Sequence, residues 1–338
     1  MKDNKKVSVI ISLYGYKYSN NLEAVIKSIN EQTIDTEVIV SEQGENVSSV
    51  FKGIAKKMGA KYLLTKPEYR DGKMNFNIGK VRNAGASIAT GEYLYFNDAD
   101  VIMCNKKFLE SILVEMQNRP QISMCRPLIY RLSMETSQMF IDDYLKNIDM
   151  VFKINNKDAC LVEYCDGFLG AIKGGEVHEL INGMPHVCTQ YNYDNVINNK
   201  DFDYTQMEEF IWKPAFHYGG SMYSRDVFWR IGGYCELYYN WGLEDEDIHW
   251  KLKETTGLLY MYDTFSEEKL IHLEHERNYN NNTYEKNQKI FQERVKEGVK
   301  SAIIHDTQNI ETFVYKFLNA MYTEIEKEFI LGFEYYRR

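Results

Sequence analysis

The sequence predicts an α/β fold in which helices flank a mostly parallel central sheet. Apolar runs of strand length alternate with amphipathic segments of helix length through the first 130 residues. Several runs are apolar throughout rather than at alternate positions, which is typical of strands buried on both faces. The order β-α-β-α-β-α-β places the polar strand ends along one edge of the sheet, where ligands bind in such folds.

Each element follows from its local pattern. Uninterrupted apolar runs predict strands at 6–15, 35–45, 61–67, 92–103 and 122–132. Apolar side chains on one face predict helices at 20–32, 46–60, 77–90 and 106–120. The stretch 217–234 predicts a strand, a turn and a helix, and the tail predicts a helix with an apolar stripe; the stretch from about 133 to 210 is less regular.

Composition argues against several classes of protein. The formal net charge is −9 and the basic residues are scattered, so we expect no nucleic-acid partner. Six dispersed cysteines without a C-x-x-C pair favour free thiols in a reducing compartment. The first residues do not read as a signal peptide, and no window approaches the ~18 apolar residues of a membrane span. We therefore expect a cytoplasmic protein.

Two carboxylates follow the apolar run that begins at residue 92. Asp98 and Asp100 stand at positions i and i+2, so on an extended chain they share one face. Carboxylates so close together repel each other unless a cation lies between them. A divalent ion such as Mg²⁺ or Mn²⁺ would suit these oxygen ligands. The alternative is a solvated turn that binds nothing.

A second acidic cluster, Glu244 to Asp247, follows Trp241 and Gly242. Acids at the start of a helix also complement its dipole, which is the alternative explanation for some of them. That explanation does not account for Trp241, whose ring could stack on a sugar. Glu244 or Asp245 could then accept a hydrogen bond or a proton from a hydroxyl.

Two histidines, His272 and His275, follow a further apolar run. Their i, i+3 spacing indicates metal ligation, although seven histidines in the chain can also pair by chance.

These blocks, in this order, resemble the GT-A glycosyltransferases. The stretches "FNIGKVRNAG", "YLYFNDADVIM", "YGGSMYSRDVFWRIGGY" and "NWGLEDEDIHWKL" are similar to glycosyltransferase 2 family sequences with a galactosyltransferase-like W-G-x-E-D segment. The resemblance covers roughly residues 5–130 and 211–280, and it implies a GT-A nucleotide-diphospho-sugar transferase fold.

The resemblance implies a metal site for Mn²⁺ (or Mg²⁺). Asp98 and Asp100 match the D-x-D motif, and Asp100 is the stronger candidate for direct contact with the ion. His275 matches the histidine ligand of the galactosyltransferase family. His272 stands where the animal enzymes carry a methionine, so this sequence offers a second imidazole at that place.

The resemblance also implies roles in catalysis and in donor binding. Asp245 matches the catalytic base, and Glu244 beside it would bind the acceptor or the donor sugar. The residues that would face the donor are Tyr14 and Glu42 at the uracil and ribose, Arg82 and Asn83 near the diphosphate, Asp98, Gly220, and the sugar-facing Trp241 and Gly242.

The implied activity is an inverting, metal-dependent transfer of a hexose or N-acetylhexosamine from a UDP-sugar. The acceptor would be a glycan, a lipid-linked sugar or a peptide, with bacterial surface polysaccharide synthesis as the expected setting. The implied catalytic domain spans 1–280, with a nucleotide-sugar half at 1–130, an acceptor-side insertion at 131–210 and an acceptor and metal half at 211–280.

Alternatives remain open at this point. A sugar nucleotidyltransferase or a non-catalytic carbohydrate-binding protein could share the fold. A helical extension at 281–338 could pack on the catalytic domain, form a homodimer or lie on the inner face of a membrane. Packing is the default expectation, because only Arg337 and Arg338 follow its apolar stripe.

Overall fold

The structure is a computed structural model, and the fold is described from part of the chain. The described residues are 7–15, 19–70, 72–103, 105–118, 124–125, 128–132, 134–146, 168–173, 176–181, 184–189, 220–240, 242–256, 269–273 and 281–321.

The described residues form the strands and helices given below in chain order. The strands are β1 (Val7–Leu13), β2 (Thr36–Gln43), β3 (Lys61–Thr65), β4 (Glu68–Arg70), β5 (Lys73–Asn75), β6 (Tyr93–Asp98), β7 (Val101–Met103), β8 (Met124–Cys125), β9 (Leu128–Leu132), β10 (Phe168–Lys173), β11 (Glu176–Ile181), β12 (Met184–Thr189), β13 (Ser221–Ser224) and β14 (Lys269–His272). The helices are α1 (Ser19–Asn30), α2 (Ser49–Lys57), α3 (Ile78–Ser87), α4 (Phe108–Asn118), α5 (Met134–Lys146), α6 (Arg225–Arg230), α7 (Glu244–Thr256), α8 (Asn281–Glu297) and α9 (Val299–Met321).

The central sheet has the order β3-β2-β1-β6-β13-β8. Its first four strands are parallel, and β13 runs antiparallel to β6. Every residue of β1 is buried, and its side chains alternate between two cores. Val9 and Ile11 belong to one core and Ile10 to the other, which requires cover on both faces of the sheet. The predicted mostly parallel α/β fold is confirmed.

The run at 92–103 is two strands rather than the predicted one. β6 ends at Asp98 in the central sheet, and β7 begins at Val101 in a second sheet. The Asn97 amide fixes the turn between them, because it donates to the carbonyls of Asp98 and Val101 at 2.9 Å each. Asp98 therefore ends a strand, while Asp100 lies in the turn. The run at 122–132 divides in the same way into β8 and β9, with Pro127 between them.

A second sheet has the order β12-β11-β10-β9-β14-β7. The region from about 133 to 210, which the sequence leaves as irregular, contains α5 and the antiparallel strands β10, β11 and β12. β14 pairs antiparallel with β7, and its register sets His272 opposite Val101. The backbone N–H of Leu273 also donates to the Asp100 carbonyl at 2.7 Å. This pairing brings a distant histidine to the turn that carries Asp100.

Helices α8 and α9 pack on α7 through buried charges. Arg294 of α8 binds Asp247 of α7 at 2.6 Å and Asp306 of α9 at 2.7 Å. Lys251 of α7 donates to Asp306 at 2.6 Å. We call Asp247, Lys251, Arg294 and Asp306 the buried ion cluster, since none of them is more than 5% exposed. Burial alone would raise the pKa of Asp306, but Lys251 and Arg294 hold this pKa well below its usual value.

The close approach of α9 requires glycine at the end of α6. Gly232 has a φ of +79°, and a Cβ placed there would lie 2.9 Å from the Cβ of Asp306. The next residue, Gly233, has a φ of +59°, and its carbonyl accepts a 2.6 Å hydrogen bond from Lys251.

Among the described helices, none combines the length and apolar character needed to cross a bilayer.

The buried ion cluster generates a stability prediction. Arg294→Met removes one of two cations and leaves buried carboxylates poorly compensated, so we expect the unfolding free energy to fall by about 3–5 kcal/mol. The matched control is Glu293→Gln, because Glu293 is the exposed neighbour on the same helix and should change stability by less than about 0.5 kcal/mol. Urea denaturation of the three proteins measures both values. Equal midpoints for the two variants would contradict a stabilising role for the cluster.

Candidate active site

The centre of the candidate site is a buried arginine that contacts three carboxylates. Arg82 lies on α3 and is 2% exposed. Its guanidinium donates to Asp245 at 2.8 Å and to Asp98 at 3.4 Å, and it lies 3.8 Å from Glu244. We call these four residues the Arg82 cluster. The cluster joins the end of β6 to the first turn of α7, which the sequence separates by more than 140 residues.

The environment keeps Arg82 protonated. Burial alone would lower its pKa, but Asp245 first and then the other acidic groups raise the pKa well above its usual value. The ring of Tyr234 lies beneath the guanidinium at 4.8 Å and adds a cation–π contact. Sequence reasoning missed Tyr234, which directly follows the Gly232–Gly233 pair. The cluster is therefore a fixed positive charge with acidic groups around it.

Strand ends place other predicted residues along the same edge. Ser12 of β1 pairs in register with Asp98, and Leu13 pairs with Glu42 at the end of β2. Tyr14, next after Leu13, stacks on Phe76 with the ring centroids 5.3 Å apart. The predicted nucleotide-facing residues Tyr14 and Glu42 are thus neighbours of Asp98 at one sheet edge.

Glu42 is a buried acid with a local partner. The Tyr62 hydroxyl donates to its carboxylate, and only 5% of Glu42 is exposed. Burial raises the pKa of Glu42, and the Tyr62 hydrogen bond partly offsets that rise. Gly220, the predicted point of close backbone approach, is buried immediately before β13.

Two predicted metal ligands, Asp100 in the turn after β6 and His272 at the end of β14, lie close together. The Asp100 carboxylate and the His272 imidazole lie 3.7 Å apart, measured from Oδ2 to Nε2. Asp100 is 4% and His272 8% exposed, so both ligands are nearly withdrawn from water. An oxygen and a neutral imidazole nitrogen are donors that suit Mn²⁺. This pair offers two donors of the kind that the predicted metal needs; Asp98, at the adjacent strand end, contacts Arg82 and does not join them in a compact three-ligand group. Residues Trp241 and His275 lie outside the described part of the chain.

A separate group of three potential ligands does not fit a metal. Cys235, Asp247 and Asp306 lie together among the described residues. However, Lys251 and Arg294 already neutralise the two carboxylates. Burial raises the pKa of the Cys235 thiol well above its usual value, which disfavours the thiolate that a metal needs. The two carboxylates of this group belong to the buried ion cluster.

The acidic pair on α7 is shaped by the turn in front of it. Gly242 has a φ of +105°, and its N–H donates to the Glu244 carboxylate at 2.8 Å. Burial, followed by repulsion from Asp245, raises the pKa of Glu244 to about 8, against the opposing effect of Arg82. Glu244 is 2% exposed, whereas Asp245 is 7% exposed. Asp245 is therefore the more accessible acid, and Glu244 is the one that keeps its proton near neutral pH.

Asn83 fixes the chain that leads to the acidic pair. Its side-chain amide donates to the Tyr234 carbonyl and to the Glu236 carboxylate, each at 2.9 Å. Its oxygen accepts from the Tyr234 N–H, also at 2.9 Å. Asn77, the cap of α3, likewise donates to the Glu236 carbonyl at 2.7 Å. The described contacts of Asn83 thus position the segment 234–236. Sequence reasoning did not find this role, because most of the partners of Asn83 are backbone groups.

Comparisons with known proteins match two parts of the chain to family models. Residues 8–169 match the model of glycosyl transferase family 2, and residues 206–276 match the model of the N-terminal domain of galactosyltransferase. The chain is 29% identical over 115 residues to the amylovoran biosynthesis glycosyltransferase AmsE of Erwinia amylovora. That similarity covers 34% of this chain and 42% of the relative, so less than half of the relative is matched.

One solved structure supports the fold, and a second shows a weaker similarity. The crystal structure of GalNAc-T7 with UDP, GalNAc and Mn²⁺ aligns with 87% of this chain and 48% of its own, at 14% identity and a TM-score of 0.50. A mannosyltransferase from Pyrobaculum calidifontis, solved with GDP-Man and Mn²⁺, aligns with 98% of this chain and 79% of its own, at 13% identity and a TM-score of 0.44.

The two matched segments divide the Arg82 cluster between them. Arg82 and Asp98 lie in the first segment, and Glu244 and Asp245 lie in the second. The chain therefore has a GT-A-type fold, in which a segment that matches glycosyl transferase family 2 is followed by a segment that matches the N-terminal domain of galactosyltransferase.

Proposed function

We propose that the protein is a metal-dependent, inverting glycosyltransferase that moves a hexose or N-acetylhexosamine from a UDP-sugar. One observation carries this proposal: buried Arg82 joins Asp98, at the strand end predicted to bind the donor, to Asp245, predicted to be the base. A base held beside the donor site is what an inverting transfer needs, because the acceptor must lose a proton as it attacks.

The proposed donor site lies at the carboxyl edge of the parallel strands. Tyr14 and Glu42 would contact the uracil and ribose, while Arg82 and Asn83 would lie near the diphosphate, with Asn83 acting through the segment it positions. Gly220, Trp241 and Gly242 would face the sugar. The structural likeness to GalNAc-T7, solved with UDP, GalNAc and Mn²⁺, supports the fold alone, at 14% identity.

The proposed metal ligands are Asp98, Asp100, His272 and His275. The short distance from Asp100 to His272 supports a shared ion at this turn. When bound, Mn²⁺ (or Mg²⁺) would supply charge neutralisation for the diphosphate leaving group.

Asp245 is the proposed base. Its proximity to Arg82 fixes its orientation, and its greater exposure leaves it accessible to a hydroxyl. Glu244, with a pKa raised to about 8, would bind the acceptor or donor sugar and can donate a hydrogen bond while protonated. The acceptor class, a glycan, a lipid-linked sugar or a peptide, and a role in bacterial surface polysaccharide synthesis belong to the same proposal. We place the protein in the cytoplasm or at the inner face of the membrane.

Release of UDP tests the proposal directly. We expect one UDP-sugar to be slowly hydrolysed with Mn²⁺ and not with EDTA. Asp245→Asn should lower turnover by about a hundredfold or more while it preserves metal-dependent UDP binding in calorimetry. Asp100→Asn should weaken that binding, because it removes a metal ligand.

The matched control for both variants is Asp226→Asn. Asp226 is an exposed acid on α6 that pairs with Arg230, away from the Arg82 cluster. Its substitution should leave turnover and UDP binding unchanged. Absence of both UDP release and metal-dependent UDP binding in the unaltered protein would overturn the proposed function. Binding without release in the presence of glycan, lipid-linked and peptide acceptors would favour a non-catalytic protein, and pyrophosphate release from a nucleotide triphosphate would favour a nucleotidyltransferase.

The raised pKa of Glu244 generates a pH prediction. The folded protein holds this proton up to about pH 8, whereas the unfolded chain releases it near its usual value of 4.5. The native state therefore binds more protons between these values, and stability falls as pH rises through this window. The variant Glu244→Gln keeps an oxygen that accepts from the Gly242 N–H but cannot ionise. Its unfolding free energy should therefore fall less over this pH window than that of the unaltered protein.

Urea midpoints at several pH values measure the effect. We expect the stability of Glu244→Gln relative to the unaltered protein to grow between about pH 5 and 8, by up to a few kcal/mol. Below about pH 4 the two proteins should respond to pH in parallel, because Glu244 is then protonated in both states. A difference that stays constant from pH 4 to 9 would contradict a raised pKa at Glu244.

A further inference from the structure

An asparagine of α8 contacts the turn that precedes the acidic pair. The Asn287 side-chain oxygen accepts from the Tyr239 N–H at 2.8 Å, and its amide nitrogen donates to the Tyr239 carbonyl at 2.8 Å. The same nitrogen donates to the Gly242 carbonyl at 3.0 Å. Asn287 is 0% exposed. A single buried amide thus holds the backbone on both sides of position 241.

The held turn has an unusual backbone. Asn240, Gly242 and Leu243 have φ values of +49°, +105° and +72°, in the left-handed region that L side chains rarely adopt. Such conformations persist when surrounding contacts over-determine them. The β4–β5 hairpin supplies contacts on one side, since Asn240 N–H donates to Asn75 at 3.0 Å and Phe76 N–H donates to Asn240 at 3.1 Å. Asn287 supplies contacts from a different element.

The turn connects Asn287 to the proposed chemistry. The carbonyl of Gly242 accepts from Asn287, and its N–H donates to Glu244. Glu244 and the adjacent Asp245 both contact Arg82. A shift of the turn would therefore move the acids against the guanidinium and the donor edge.

Helix α8 is itself held in place on the same face. Arg294 follows Asn287 by seven residues, or two helical turns, and binds Asp247 of α7. Phe291 lies between them along this face and packs against the cluster formed by Cys235, Tyr238 and Leu243. One end of this face is thus fixed to the turn before α7, and the other end is fixed to α7, which carries the acidic pair.

We propose that Asn287 is a positioning residue of the active centre, and that α8 sets the path of the 239–242 turn and hence the placement of Glu244 and Asp245. The inference deepens the proposed function and rests on it for the role of the acids. Asn287 lies beyond both segments that match family models, 8–169 and 206–276. The C-terminal helices would then be part of the catalytic unit rather than an addition to it.

Two variants and a control test this role. Asn287→Ala removes all three hydrogen bonds, and Asn287→Asp keeps an acceptor for the Tyr239 N–H but loses both donations. Gln288→Ala is the control, because Gln288 is the exposed neighbour on the same helix. The readouts are kcat for UDP release, the Kd of UDP with Mn²⁺, and hydrogen exchange of a peptide spanning 236–245.

We expect Asn287→Ala to lower kcat by about tenfold to a hundredfold, because small displacements of catalytic groups are costly. Asn287→Asp should lie between it and the unaltered protein. The Kd of UDP should change by less than about twofold, since the proposed donor edge is formed by other elements. Faster exchange should be confined to the 236–245 peptide, and Gln288→Ala should match the unaltered protein in all readouts.

Several outcomes would overturn the inference. One is unchanged exchange at 236–245 in Asn287→Ala; another is unchanged kcat despite faster local exchange. A loss of kcat that accompanies faster exchange throughout the protein would show a general structural role instead. If the unaltered protein turns over no donor and binds no UDP, the proposed function fails, while the exchange comparison still decides whether Asn287 holds the turn.

Discussion

The pairing of Arg82 with acids from two distant segments is the constraint on which the rest of the site depends. A buried guanidinium is costly unless carboxylates compensate it, and here Asp98 and Asp245 do so from different elements. The end of β6 therefore cannot move away from the start of α7 without leaving a buried charge uncompensated. An electrostatic requirement of folding thus holds together the donor edge and the proposed base.

Helix α7 carries this constraint to the C-terminal part of the chain. Its first turn presents Glu244 and Asp245 to Arg82, while Asp247 and Lys251 join Arg294 and Asp306. Both sets consist of buried charges with strict partners, so the helix has little freedom to rotate or slide. The Gly232–Gly233 turn lets α9 approach closely enough for Asp306 to reach Lys251. Charge pairing on two faces, together with the apolar packing of Ile248 and Leu252, fixes the position and orientation of the acidic pair.

Sequence reasoning could predict what local pattern encodes. Buried strands such as β1, β2 and β6 stand out as apolar runs, and Asp98 at the end of β6 and Asp100 in the turn after it stand out by contrast. It could not predict that Arg82 contacts Asp245, because that contact joins residues 163 positions apart. Strands β10 to β12 were missed because their sequences mix polar and apolar residues without a long run. Asn287 and Arg294 were missed because polar residues on a mostly polar helix look solvated until their buried partners are known.

The charge balance of the Arg82 cluster connects the proposed metal to the raised pKa. One guanidinium faces three carboxylates, so full ionisation would leave an excess of two negative charges in a buried site. A proton retained on Glu244 removes one of them, and burial, followed by repulsion from Asp245, raises the pKa of Glu244 to about 8. The remaining excess lies toward Asp98, the only one of the three acids with substantial exposure, at 28% of its side chain. A cation is best accommodated at that side, where Asp100 and His272 already offer ligands. The acid that retains a proton and the acid that would face the proposed cation are therefore separated by Arg82, which allows one compact site to keep two carboxylates in different charge states.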